Sequence, residues 1–111
     1  NASVLIDALH FSRSGGWPSD IAGVEPSLFK YAQICDAVAA IPTESSDLIR
    51  EARGGRLLPG EGALPLRDLV AALPAGIPLA IEAPVRATAG LPALERAQRA
   101  WRSMQALLGY G

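Results

Sequence analysis

Residues 78–83 read Pro78-Leu79-Ala80-Ile81-Glu82-Ala83, and this stretch decides the fold. It is an apolar run that stops at a carboxylate, the pattern of a strand. Period-two alternation puts Ala80 and Glu82 on one face and Leu79 and Ile81 on the other. The aliphatic pair suits a face covered by helices. Small Ala80 leaves space below Glu82 on the opposite face. Burying that carboxylate without a partner would be costly, so Glu82 is read as functional.

Outward from this strand, the chain alternates short β-like runs with helix-like runs. Ser3 to Ala8 and Phe29 to Cys35 are the other two strands. A polar, glycine-rich loop over Ser12 to Asp20 leads into a helical turn from Pro18 to Val24. Thr43 to Gly54 reads as a helix, with Thr43 or Ser45 as its cap and Arg50 and Arg53 near its end. Leu58 to Gly62 is a loop. Leu66, Leu69, Val70 and Leu73 give an amphipathic helix over Pro65 to Leu73. Leu94, Ala97, Trp101, Met104 and Leu108 form one stripe of a last helix over Pro92 to Leu108. The order β-(α)-β-α-α-β-α implies right-handed crossovers and a parallel sheet. A closed (β/α)8 barrel takes about 250 residues, so the chain holds three of its eight units. The alternative, a free-standing three-stranded sheet, leaves two edges exposed.

Composition narrows the function. The chain has 111 residues and half of them are apolar, so a real core is within reach. Ten basic against eleven acidic residues, with a pI near 5.8, give no electrostatic footprint for nucleic acid. No apolar run reaches the roughly 20 residues of a membrane span. Cys35 is the single cysteine, which excludes an intrachain disulfide or a thiolate-rich zinc site and points to the cytoplasm. The opening, which lacks Met and enters a strand almost at once, suggests a piece of a larger protein.

In parallel α/β sheets, ligands gather at the carboxyl ends of the strands. Each predicted strand ends in polar residues: Asp7 and His10, then Gln33 and Asp36, then Glu82. Carboxylates at the same depth on two strands, with a nearby imidazole, outline a hard-cation site. Asp36 is read as a cap of the segment after it. Cys35 is read as a buried apolar residue with no basic or histidine neighbour.

Four segments carry a resemblance. They are Leu5-Ile6-Asp7-Ala8-Leu9-His10, Tyr31-Ala32-Gln33-Ile34-Cys35-Asp36, Arg56-Leu57-Leu58-Pro59-Gly60-Glu61-Gly62 and Ile81-Glu82-Ala83-Pro84. In this order they resemble the last three βα units of the sugar phosphate isomerase/epimerase family, the xylose isomerase-like TIM barrels. The resemblance implies one domain, 1–111, as the C-terminal portion of such a barrel, with the upstream units absent. It also implies a divalent ion (Mn, Mg or Zn) in the barrel mouth, held by Asp7, Gln33 and Glu82 together with an upstream glutamate. Gln33 stands where the family has a histidine, and an amide oxygen suits Mg²⁺ or Mn²⁺ better than Zn²⁺.

By the same resemblance His10 and Arg56 contact substrate, and Glu82 and His10 are catalytic. Arg13, Trp17 and Arg86 are expected at the same mouth, with Trp17 among the substrate-binding residues. The implied reaction is aldose–ketose isomerisation or epimerisation through a metal-stabilised enediolate. A dehydratase or other lyase, or a non-catalytic barrel that binds a small molecule, is the alternative. The implied partner is a small carbohydrate, with neither nucleic acid nor membrane. Oligomeric state is left open, a homo-oligomer included.

Overall fold

The structure, a computed structural model, describes residues 3–109. Three parallel strands, β1 (Val4–Asp7), β2 (Phe29–Ile34) and β3 (Leu79–Ile81), lie in the order β1-β2-β3. Helices α1 (Ala8–Arg13) and α2 (Pro18–Ile21) connect β1 to β2. Helices α3 (Ser45–Gly54) and α4 (Leu66–Ala72) connect β2 to β3, and α5 (Ala93–Leu108) closes the chain. This is the alternating parallel arrangement expected, a portion of a barrel wall. No helix among the described residues is long and apolar enough to cross a membrane.

The register settles which residues share a face. Asp7 pairs with Gln33 and Gln33 with Ala80, while Ile6, Ala32 and Leu79 form the adjacent row. The face that carries Ile6, Ala32 and Ile34 is buried under the helices. There it joins Leu9, Ile21, Leu66, Leu69, Leu73 and Met104 in one core. Each such side chain contributes about 1.5–3 kcal/mol on burial, so the burial that holds the sheet comes from one side. The opposite face carries Leu5, Tyr31, Ala80 and Glu82, all exposed. Alternation in β3 therefore runs as expected, with Leu79 and Ile81 on the helix side.

Three local expectations are corrected. First, the polar stretch does not begin as loop at Ser12: the chain passes from Asp7 straight into α1, which takes in Ser12 and Arg13. Asp7 is itself the N-cap, in extended backbone, and its Oδ1 accepts the His10 N–H at 3.0 Å. A strand-end aspartate is already extended, so it caps the next helix with no intervening residue. Second, neither Thr43 nor Ser45 caps α3. Glu44 occupies the N-cap and makes no side-chain capping bond. Third, only Met104 of the proposed α5 stripe is buried; Leu94 and Trp101 are largely exposed.

The connection after α3 returns to the end of β2. Asp36 and Leu57 exchange both backbone hydrogen bonds, at 2.8 and 2.9 Å, as an isolated antiparallel bridge. This return carries Arg56 back across the carboxyl edge of the sheet.

Candidate functional site

Arg56 is the centre of the site. The sequence suggested a loop arginine facing substrate; the structure buries it, at 5% exposure. Its Nη1 donates to Asp7 Oδ2 at 2.8 Å and to the Glu82 main-chain oxygen at 3.2 Å. The same nitrogen lies 3.7 Å from Cys35 Sγ. Nε donates to Ala52 O at 2.8 Å, which satisfies an orphan carbonyl in the last turn of α3. Nη2 stands 3.3 Å from His10 Nε2. A guanidinium has five N–H donors, and these partners leave little for a substrate. Burial lowers the Arg56 pKa, but the hydrogen bond and charge of Asp7 outweigh it, so the group is held above its ordinary value.

The sheet's carboxyl edge thus brings together Asp7, His10, Cys35, Arg56 and the Glu82 backbone. Asp7 is tied on both oxygens, Oδ1 to the His10 amide and Oδ2 to Arg56. The Arg56–Asp7 pair is nearly fully buried. Removing one member of such a pair costs about 3–5 kcal/mol, because the other is left buried and uncompensated. Cys35 does have a basic neighbour, contrary to expectation. Burial still pushes its thiol pKa up, with the nearby Arg56 charge opposing. No sequence signal marks this contact, since the two residues lie 21 positions apart.

Asp36 does more than cap the segment after it. Its Oδ1 accepts from Ala37 N and Leu64 N, each at 2.9 Å, and its Oδ2 accepts from Gly60 N at 3.0 Å. The Pro59-Gly60-Glu61-Gly62 loop is wound around this buried carboxylate. Gly60 has φ +91°, a conformation that favours glycine. At Gly62 a Cβ would lie 2.4 Å from Ala37 O and 2.5 Å from Asp36 Oδ1.

The remaining predicted residues fall as follows. Gln33 is half-buried between its register partners Asp7 and Ala80. The Glu82 side chain is exposed at the end of β3. Trp17 is largely exposed. It lines a separate apolar cavity of about 350 Å³ with Ala8, Phe11, Arg13, Val38 and Ile41. Arg13 is paired with buried Glu51 at 2.8 Å, and this hydrogen bond holds its pKa up. Arg86 lines a different cavity, of about 560 Å³, beside Arg53, Arg96 and Arg99.

The divalent ion implied by the motifs meets an occupied ligand. Among the described residues, no three His, Cys, Asp or Glu side chains come together as a metal cluster. Asp7 Oδ2 already accepts from the buried Arg56 guanidinium, so an ion at Asp7 would have to compete with that charge.

No family model matches the sequence, and no curated protein matches it. Solved structures do. A crystal structure of the IolI protein with a bound zinc atom superposes with a TM-score of 0.81 at 19% identity, over 96% of this chain and 37% of that one. A xylose isomerase-like TIM barrel/4-hydroxyphenylpyruvate dioxygenase fusion protein gives 0.77 at 25% identity, over 95% of this chain and 17% of that one. A xylose isomerase domain protein from Alicyclobacillus acidocaldarius subsp. acidocaldarius gives 0.69 at 26% identity, over 99% and 38%. Parallel strands, crossover helices and polar residues at the strand ends define the class, a portion of a TIM barrel. Its neighbours include xylose isomerase-like TIM barrel proteins, consistent with the family that the motif order resembles. The chain spans between 17% and 38% of the length of these neighbours.

Proposed function

We propose that this chain supplies part of the active site of a sugar isomerase or epimerase that moves a proton next to a carbonyl. The observation that carries the proposal is the buried Asp7–Arg56 pair with exposed His10 against it at the carboxyl edge of a parallel sheet, and the Glu82 backbone held by the same guanidinium. Glu82 is the candidate base. Its main chain is fixed while its carboxylate is exposed on the open face, where a substrate carbon can reach it. His10 sits on the first turn of α1, where it can hold a substrate oxygen while charge develops there. The neighbours' names support the enzyme class, and the reaction and substrate rest on this reading of the site. Dependence on a divalent ion is proposed only for the whole protein, since ion binding at Asp7 has to compete with Arg56.

Solvent-deuterium exchange tests the proposal. The whole protein, incubated in D2O with a panel of aldoses, ketoses and their phosphates, is expected to wash deuterium into one substrate next to its carbonyl. E82Q should lose at least a hundredfold of that exchange, within the range general base catalysis supplies, and keep its melting temperature. Near-normal exchange in E82Q removes Glu82 from the mechanism. No exchange with any sugar, with binding retained, favours a non-catalytic small-molecule barrel. The Arg56–Asp7 pair speaks for that second reading, because it satisfies the carboxylate without a metal. Addition of Mn²⁺ or Mg²⁺ separates the two further: a rise in melting temperature or exchange supports the metal-dependent enzyme.

A further inference from the structure

His10 is the one histidine in the chain, and its ring meets an arginine rather than a carboxylate. Arg56 Nη2 lies 3.3 Å from His10 Nε2. A guanidinium carries only donors and stays protonated in proteins. The Nε2 side of this contact must therefore be a lone pair. A neutral imidazole has one N–H, and with Nε2 accepting, that proton sits on Nδ1. We infer that Arg56 is a positioning residue that holds His10 as the neutral Nδ1–H tautomer. The ring then offers a hydrogen-bond donor, and no second lone pair, to a ligand at the carboxyl edge of the sheet.

Arg56 can impose this because it cannot swing away. Nε is tied to Ala52 O, and Nη1 to Asp7 Oδ2 and Glu82 O. The backbone of the other partner, exposed His10, is fixed as well. The His10 amide donates to Asp7 Oδ1, and the His10 carbonyl accepts from both the amide and the hydroxyl of Ser14. One carboxylate therefore grips both sides of the ring contact: Oδ1 holds the histidine backbone and Oδ2 holds the guanidinium. The Asp-x-x-His spacing is what makes this closure. It puts the aspartate at the N-cap and the histidine at the third helical position. The tautomer stands independently of the proposed reaction. If that reaction holds, His10 donates to a substrate oxygen and leaves the carbon-bound proton to Glu82.

Long-range ¹H–¹⁵N correlation of the imidazoles in the whole ¹⁵N-labelled protein tests the inference, with H10Q identifying the His10 signals by their loss. The expected spectrum shows a protonated Nδ1 and an unprotonated Nε2, the reverse of the form a free neutral histidine prefers in water. A protonated Nε2, or shifts averaged between two tautomers, overturns the inference. R56Q should move the ring toward the Nε2–H form or a mixture, and R56K should recover part of the bias. An unchanged Nδ1–H pattern in folded R56Q overturns the role of Arg56. If R56Q does not fold, the wild-type spectrum alone decides the tautomer, and R56K decides the role: its bias should fall below wild type, and a full wild-type bias overturns it. E82Q should leave the His10 spectrum unchanged, so failure of the catalytic proposal and failure of this one are read separately.

Discussion

Arg56 shows how one side chain changes the meaning of several others. Asp7, a candidate metal ligand by its motif, becomes the counter-ion of a buried cation and the cap of a helix. Cys35, an apolar filler by its surroundings in the sequence, lies within reach of that cation. Its thiol is nevertheless pushed above the usual 9.0, chiefly by burial. Above the unfolded value, then, the folded chain keeps a proton that the unfolded chain gives up. The stability this confers is whole below pH 9 and is lost as pH rises through the folded value. Urea midpoints measured below and above pH 9 are expected to fall more steeply for the wild type than for C35A. Parallel slopes for the two would show that the thiol does not titrate differently on folding.

Among the elements, the connection from β2 to α4 does the most to build the site. Two strand-end residues, Cys35 and Asp36, have opposite jobs. Cys35 lies against Arg56, while the buried Asp36 collects the amides of Ala37, Gly60 and Leu64. The Pro-Gly-x-Gly loop was legible as a loop from its glycines, but its anchor was not, because Asp36 and Gly60 are 24 residues apart. G62A should destabilise the protein by about 1–3 kcal/mol, the usual cost of forcing extra volume into a packed place. Here the clash is with a backbone oxygen and a carboxylate that is already holding three amides. Chemical denaturation of G62A beside G23A makes the comparison, since a Cβ at Gly23 meets nothing within 4 Å. Equal effects at the two glycines would contradict the account.

For the molecule as a whole, the sheet is finished on one face and open on the other. Leu5 and Tyr31 are 44% and 41% exposed on a face that also carries Ala80 and Glu82. Among the described residues, β1 pairs only with β2, and β3 only with β2. Free parallel edges and an open apolar face promote association. Residues 1–111 expressed alone are therefore expected to self-associate with rising concentration, as read by sedimentation velocity, and to bind a hydrophobic dye. A concentration-independent monomer that excludes the dye would count against it.

The sequence by itself determined the alternation of strands and helices, the two faces of β3 and the gathering of Asp7, His10, Gln33 and Glu82 at one edge. These are local matters: side-chain period and the polar residue that ends each apolar run decide them within a few positions. It did not reveal that α1 begins on the strand's last residue, because Asp7 completes one element and caps the next. Only the tertiary structure decided that Arg56 is buried, that it pairs with Asp7 from 49 residues away and that it meets the ring of His10. Those contacts depend on strand register and on the Asp36–Leu57 return that carries the chain back over the sheet. A guanidinium's partners are set by where the chain returns in space, and no local pattern in the residues around Arg56 encodes that.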